Sequence, residues 1–249
     1  MHQRKLIHSK KDNIIGTLKY LMLSWGIFTS LVIIFAAISV SGSAFAQEIN
    51  MEKSTKIIGF GDSLMAGYGL AGEKSFPAQL QAKLREQGIT VTIENQGVSG
   101  DTTQGGLARV PWALNSKPDL VILELGANDA LRGIDPNVTK QNLDKMLGLM
   151  SAYRRPDGSP IVVILAGMMA PRNLGAEYVR KFDAIYPNLA KKYRVAYYPF
   201  FLDGVALHPD LVQADGLHPN EKGVSVMVER FIPTLKKALA QIKPLKPAH

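Results

Sequence analysis

The pattern of apolar and polar positions predicts that short buried strands alternate with helices along most of this 249-residue chain. Runs that are mainly apolar or β-branched, as is typical of buried strands, lie at 57–60, 90–93, 120–123, 161–165 and 195–198. Helical segments are predicted between and after them, at 76–87, about 103–114, 137–153, 175–194 and 220–242. Clusters of Gly, Asn, Asp and Ser at 95–101 and 126–136 predict loops.

This alternation indicates an α/β protein. Continuous apolar strands separated by helices favour a parallel sheet that is covered on both faces. We therefore expect a single three-layer α/β/α domain with a five-stranded parallel sheet of flavodoxin-like topology, spanning 47–249 with its core at about 55–242. In such sheets ligands bind beyond the carboxyl ends of the strands, so chemistry is expected in the loops that follow them.

The N-terminal segment is typical of an export signal. Basic residues precede a largely apolar run at 20–40, and the small residues Ala44 and Ala46 follow at the positions that signal peptidase reads. We expect a signal peptide at 1–46, cleaved before Gln47, and a periplasmic or secreted protein without stable membrane insertion after cleavage. The alternative is an uncleaved membrane anchor, since about 20 apolar residues can span a bilayer.

Charge and composition exclude several classes of function. Residues 1–46 hold five basic residues and one acid, so they carry +4 of the net charge of +8 and leave +4 without a clustered basic stripe. We therefore expect no nucleic-acid partner. The chain has no cysteine, which excludes disulfides, thiolate zinc sites and a cysteine nucleophile. No histidines and carboxylates stand at ligand spacing, so neither a metal nor another cofactor is expected.

Ser63 is the candidate nucleophile. It lies in the strand-to-helix turn after the first predicted strand, where its hydroxyl is expected to be exposed near the start of a helix. The pattern is not the Gly-x-Ser-x-Gly elbow of α/β-hydrolases, because Met65 occupies the place of the second glycine. The alternative role for Ser63 is to cap a helix, as loop serines often do.

His218 is the candidate base for this serine. Asp215 precedes it by three residues, a spacing that lets the carboxylate bind one ring nitrogen while the other nitrogen faces Ser63. His208 also stands in a Leu-His-Pro context, but its nearest preceding acid is Asp203, at a less favourable spacing. We therefore prefer His218.

Two further loops can supply donors for an oxyanion. Gly100 follows the second strand, and a glycine lets the backbone N–H approach a ligand without hindrance. Asn128 follows the third strand and offers its side-chain amide. Each residue alone is also compatible with an ordinary turn. Together with Ser63 and the Asp215–His218 pair they predict acyl transfer.

These four blocks also resemble the GDSL, or SGNH, hydrolase superfamily, whose blocks supply Ser, Gly, Asn and His. The matching segments are Gly-Asp-Ser-Leu at 61–64, Ser-Gly-Asp-Thr at 99–102, Gly-Ala-Asn-Asp at 126–129 and Asp-Gly-Leu-His-Pro at 215–219. Over about 55–237 the chain is similar to the periplasmic multifunctional acyl-CoA thioesterases, arylesterases and lysophospholipases of Gram-negative bacteria. Two departures from that pattern are Ala127, in place of glycine, and the Met168–Met169 pair, in place of a basic residue.

The resemblance implies hydrolysis of esters and thioesters through an acyl-enzyme. Ser63 attacks the carbonyl carbon, His218 transfers the proton and Asp215 orients His218, while the N–H groups of Ser63 and Gly100 and the amide of Asn128 hold the oxyanion. The loop at 129–134 lines and gates the acyl site. Candidates for contact with an acyl chain, or alternatively for the protein core, are Met65, Tyr68, Trp112, Met168 and Met169.

The substrate predicted is a small acyl ester or thioester, with lysophospholipid included, and the protein is expected to be a monomer. A first alternative keeps the mechanism but acts on O-acetyl groups of a polysaccharide, and a deep apolar groove would count against it. A second alternative is a non-catalytic binding domain of flavodoxin shape. Such a domain needs a phosphate cradle in the first loop, where this chain has Asp62, Leu64 and Met65.

Overall fold

The protein is described by a computed structural model for residues 54–242. Five strands form one parallel sheet in the order β2-β1-β3-β4-β5. The strands are β1 (Thr55–Gly61), β2 (Val91–Gly97), β3 (Leu120–Glu124), β4 (Val162–Ala166) and β5 (Ala196–Tyr198). This topology confirms the expected flavodoxin-like α/β architecture.

Helices connect the strands and cover the sheet. They are α1 (Ser63–Ala66), α2 (Phe76–Glu86), α3 (Thr103–Asn115), α4 (Ala127–Leu131), α5 (Pro136–Ala152), α6 (Ala176–Asp183), α7 (Ile185–Tyr193) and α8 (Glu221–Leu239). Helix α2 packs against α8, whereas α5 packs against α3, α6 and α7. Every residue of the central strand β3 is buried, which requires cover on both faces of the sheet.

Two local predictions were wrong. Strand β2 runs to Gly97, beyond the predicted end at 93, because its polar residues lie on an edge strand where alternate side chains face solvent. The segment 126–136 contains the short helix α4, which begins after Gly126 in a left-handed conformation (φ +118°). The segment 175–194, predicted to be mostly helical, is confirmed as such and contains two helices, α6 and α7, which are divided at Ala184.

The predicted signal peptide at 1–46 lies outside the described residues. Within 54–242, no helix combines the length and the apolar character that are needed to cross a membrane. Over the same range, no group of three or more His, Asp or Glu residues could hold a metal ion.

Candidate active site

Ser63 is the first residue of α1, directly after the carboxyl end of β1. The helix is capped by Asp62, whose Oδ1 accepts the N–H of Leu64 over 3.0 Å. The capping role that was the alternative for Ser63 is thus taken by its neighbour. The hydroxyl of Ser63, although the residue is only 8 % exposed, is available for another partner.

That partner is His218. The Nε2 atom of His218 lies 2.9 Å from Ser63 Oγ, and Nδ1 lies 2.6 Å from Asp215 Oδ2. The other oxygen of Asp215 accepts the backbone N–H groups of Leu217 and His218 over 2.9 and 3.0 Å. The structure therefore places the three residues in one hydrogen-bonded chain.

The pKa of Asp215 determines the direction of these hydrogen bonds. The backbone N–H of His218, the N–H of Leu217 and the His218 ring together lower the pKa of this carboxyl from 3.8 to about 2. An ionised carboxylate can only accept, so in the neutral imidazole the proton resides on Nδ1. The lone pair of Nε2 then faces the hydroxyl of Ser63, which is the tautomer that a general base needs.

Tyr68 supports the imidazole from the side. Its ring centroid lies 4.6 Å from that of His218, and it is 52 % exposed. The side chain of Gln213 joins the two loops by donating to the carbonyl oxygens of Tyr68 and Pro219 over 2.7 and 2.9 Å. Tyr68 is therefore placed against the histidine, and it is not among the residues that line the cavity described below.

The two predicted oxyanion donors reach the site differently. Asn128 belongs to α4, lines the same cavity as Ser63 and His218, and donates from Nδ2 to Asp62 Oδ2 over 3.2 Å. Gly100 has a left-handed backbone (φ +81°) and is not among the cavity-lining residues. Its carbonyl accepts a hydrogen bond of 2.8 Å from Nη2 of Arg132, which follows α4.

Buried polar contacts fix the loop that carries Asn128. The carboxylate of Asp129, which is 1 % exposed, accepts the Thr103 N–H over 2.8 Å and the Thr139 hydroxyl over 3.1 Å. The hydroxyl of Thr103 donates to the same carboxylate and accepts from Asn142 over 3.1 Å. Asn128 is thus attached to a network whose donors and acceptors are matched.

Arg109 joins the ends of β1 and β2 to the loop that contains Asp101, and it was not identified from the sequence as a site residue. Its guanidinium donates to the carbonyls of Gly61 and Gln96 over 2.8 and 2.7 Å, and to Asp101 over 2.7 Å. It also lies 3.9 Å from the centre of the Phe60 ring. Arg109 is the one basic residue in α3, and this isolated charge is the sequence feature that could have indicated its role.

A buried carboxyl pair, Asp62 and Glu124, lies beneath the serine. Burial raises the pKa of Asp62 to about 6, against the opposing effect of the bonds from Leu64 and Asn128. Burial, reinforced by the charge of Asp62, raises the pKa of Glu124 well above its ordinary value. The backbone N–H of Asp62 donates to Glu124 Oε2 over 3.3 Å. An acid that directly follows the apolar run at 120–123 was the signal for this buried group.

Asp62 gives a testable dependence of stability on pH. Its pKa is about 6 in the folded protein and ordinarily 3.8, so between these values the folded state binds more protons than the unfolded state. The group therefore lowers the free energy of unfolding as the pH rises from about 4 to 6, by at most about 1.4 kcal/mol per pH unit. Urea unfolding of the wild type and of Asp62→Asn should diverge over this window, since asparagine keeps the cap. Parallel curves would contradict the assignment.

The Ser63 hydroxyl opens into an apolar cavity of about 420 Å³. Met168 and Met169 line it, as predicted for contact with an acyl chain. The other apolar side chains on its walls are Leu64, Ala127, Ala130, Leu131, Ala170, Pro171, Phe200, Leu202, Val205, Ala206, Leu207, Val212 and Leu217.

Three residues predicted as candidates for the acyl site do not line the cavity, and one of them is Tyr68, which packs against His218. Met65 is fully buried, with its sulfur packed on Gly59 of β1, because α1 directs this side chain toward the core. Trp112 is 63 % exposed on α3 and does not line the cavity. The loop at 129–134 contributes Ala130 and Leu131 to the cavity wall.

Comparison with known proteins gives consistent matches. The profile of the GDSL-like Lipase/Acylhydrolase family matches residues 60–226. An arylesterase of Vibrio mimicus is 41 % identical over 196 residues, covering 78 % of this chain and 95 % of that protein. Thioesterase 1/protease 1/lysophospholipase L1 of Escherichia coli K12 is 41 % identical over 162 residues, covering 64 % and 73 % of the two chains. The crystal structure of AlinE4, an SGNH-hydrolase family esterase, is 48 % identical with a TM-score of 0.62, covering 75 % of this chain and 97 % of that one.

Proposed function

The chain belongs to the GDSL-like Lipase/Acylhydrolase family, and from this premise we propose that it is a serine esterase acting on carboxylic esters and thioesters. The observation that carries the proposal is the hydrogen-bonded chain Asp215–His218–Ser63, which ends at an apolar cavity. Of the segments that carry the resemblance to the superfamily, 61–64, 126–129 and 215–219 contribute residues to this cavity. The fourth, 99–102, is linked to Gly61 through the contact of Arg109 with Asp101.

The catalytic cycle has two halves. Ser63 Oγ attacks the acyl carbonyl carbon while His218 Nε2 takes the hydroxyl proton, and Asp215 stabilises the resulting imidazolium. The imidazolium then protonates the leaving oxygen or sulfur as its bond to carbon breaks. Water attacks the acyl-Ser63 ester in the same way, with His218 again taking and returning the proton. No further cofactor is needed for this sequence of steps.

The tetrahedral intermediates carry a negative charge on oxygen that needs hydrogen-bond donors. Ser63 is at the start of α1, where backbone N–H groups have no intrahelical acceptor. The Asn128 amide uses one hydrogen toward Asp62, which orients its second hydrogen. We assign the oxyanion to these donors and to the Gly100 N–H. Each such donor typically lowers the barrier by about 3 kcal/mol.

The cavity supports acyl groups larger than acetyl. Its walls are mainly methyl, methylene and aromatic groups, which bind hydrocarbon by excluding water, with Arg172 as the charged residue on the wall besides the residues of the proposed mechanism. The names of the Vibrio and Escherichia relatives place aryl esters, thioesters and lysophospholipids among the substrate classes to test. The same apolar walls argue against a polysaccharide O-acetyl group as the preferred substrate.

The N-terminal sequence supports a proposal for the cellular location of the enzyme. We propose that residues 1–46 direct export and are removed before Gln47, so that the enzyme works in the periplasm or outside the cell. An exported enzyme rarely meets acyl-CoA, and therefore lysophospholipids and other esters are the preferred targets in place. We propose a monomer that needs no nucleic-acid partner.

A series of p-nitrophenyl esters, from acetyl to palmitoyl, tests the acyl site. The wild type should prefer medium or long chains. Ala206 is a partly exposed residue of the cavity wall, so Ala206→Phe should occupy acyl space and lower kcat/KM for long chains by about tenfold or more, with less effect on acetate. The matched control is Ala176→Phe on the exposed start of α6. A sharp preference of the wild type for acetate would instead favour the O-acetyl esterase.

A further inference from the structure

An exposed arginine joins the two loops that carry the proposed oxyanion donors. Gly100 follows β2, whereas Asn128 follows β3. Arg132 donates from Nη2 to the carbonyl oxygen of Gly100 over 2.8 Å. We propose that Arg132 is a positioning residue, which fixes the Gly100 N–H relative to the Asn128 amide and thereby sets how well both fit one oxyanion. This inference rests on the proposed function.

The stretch that carries Arg132 is anchored on both sides and exposed between the anchors. On one side Asp129 is held by the buried contacts to Thr103 and Thr139. On the other side Ile134 donates its N–H to the Asp129 carbonyl over 2.9 Å and accepts the Tyr178 hydroxyl over 2.7 Å. Residues 131–133 between these anchors are exposed. The Arg132 side chain therefore reaches Gly100 from a stretch whose two ends are anchored.

Gly100 has little other support on its outer side. A Cβ atom built on this glycine would have Arg132 Nη2, at 3.7 Å, as its one neighbour within 4 Å outside the adjacent residues. The next residue, Asp101, is held by Arg109 over 2.7 Å. The N–H of Asp101, which belongs to the same peptide group as the Gly100 carbonyl, donates to the carbonyl oxygen of Val98 over 3.0 Å. Removing Arg132 therefore leaves this turn in place but takes away the charged donor that holds the Gly100 carbonyl oxygen.

The chemistry of the contact suits this role. A charged donor to a carbonyl forms a stronger hydrogen bond than a neutral one, and the planar guanidinium restricts its direction. Because Arg132 is exposed, its replacement should change the free energy of unfolding little. Small displacements of a catalytic group nevertheless cost rate, and only in the transition state does the oxyanion need both donors.

The test compares Arg132→Gln and Arg132→Lys with wild type in hydrolysis of p-nitrophenyl butyrate. Arg132→Gln should lower kcat about tenfold and leave KM within about twofold. Arg132→Lys should recover part of the loss. Phosphonylation of Ser63 by a p-nitrophenyl phosphonate, which places a charged oxygen in the same site, should slow by the same factor as kcat. The matched control is Arg180→Gln, an exposed arginine of α6 that does not line the cavity.

The outcomes separate this inference from the proposed function. If Ser63→Ala abolishes activity and Arg132→Gln keeps the wild-type kcat, the positioning role is overturned and the esterase stands. If Arg132→Gln changes only KM, Arg132 binds substrate and the inference is also overturned. A lowered melting temperature with an unchanged phosphonylation rate would show a structural role alone. If Ser63→Ala retains activity, the proposed function itself fails.

Discussion

Replacing Ser63 with alanine is expected to abolish ester hydrolysis while leaving the fold intact. The hydroxyl is the one atom removed, and it is the atom that lies 2.9 Å from His218 Nε2. Loss of a triad nucleophile typically lowers kcat by about 10⁴-fold or more, because the histidine then has no serine hydroxyl to deprotonate for attack on the acyl carbonyl carbon. The hydrolysis that remains should come only from substrate binding and from stabilisation of the oxyanion by its donors.

The measurement is the rate of p-nitrophenyl butyrate hydrolysis, with circular dichroism and thermal unfolding as checks of the fold. Ser225→Ala, at an exposed position of α8, is the matched control and should retain full activity. Activity of Ser63→Ala within about tenfold of wild type would exclude Ser63 as the nucleophile.

Asp215→Asn is expected to have the next largest effect, a loss of about 10⁴-fold in kcat near neutral pH. The asparagine oxygen can keep the bonds from the Leu217 and His218 N–H groups, so the turn at 215–218 should persist. The group facing Nδ1 changes from a carboxylate to an amide that can donate. The imidazole then tends to carry its proton on Nε2, where it cannot accept from Ser63.

Asparagine has nearly the same shape as aspartate but no charge, so Asp215→Asn tests the effect of the negative charge. The pKa of Asp215 is lowered to about 2, so the wild-type carboxylate stays ionised over the whole range in which an esterase is assayed. Its protonation should therefore not contribute to the acid limb of the pH–rate profile. Asp203→Asn, which alters an exposed ion pair with Arg230, is the control and should remain active. A loss below about tenfold for Asp215→Asn would assign the orientation of His218 to other groups.

The order of strands and helices was predictable because a buried element has an apolar pattern in its own sequence. The strands at 120–123 and 161–165 are covered on both faces, and such strands read as unbroken apolar runs. Strand β2 is on the edge of the sheet, so its polar residues Glu94 to Gln96 resemble a loop. The short α4 has too few residues to show a helical period, and therefore the sequence alone could not reveal it.

The candidate site residues were predictable because they are polar residues and glycines that follow apolar runs and take no part in the apolar pattern of the strands and helices. Ser63, Gly100, Asn128 and His218 lie in segments that follow strands of a parallel sheet, and such segments are where ligands bind. The structure brings Ser63, Asn128 and His218 to one cavity. The side chains that hold these loops in place were not predictable. Arg109, Glu124 and Arg132 act on residues distant in the chain, and only the packed structure brings their partners within reach.

The acyl site was predicted in part for a similar reason. Methionines are equally suited to cores and to ligand cavities, and the sequence does not say which way a side chain points. Met168 and Met169 follow β4 at the carboxyl edge of the sheet and reach the cavity. Met65 stands close to Ser63 in sequence, but the helical turn rotates it into the core.

The central claim is that Ser63 is acylated during turnover, and covalent labelling tests it most directly. The enzyme is treated with a p-nitrophenyl alkylphosphonate, the release of p-nitrophenol is measured, and the modified peptide is identified by mass spectrometry. We expect one phosphonyl group per chain on Ser63, loss of activity in proportion to labelling, and no labelling of Ser63→Ala. Full inactivation with the label on another residue, or an active enzyme that resists labelling altogether, would contradict the claim.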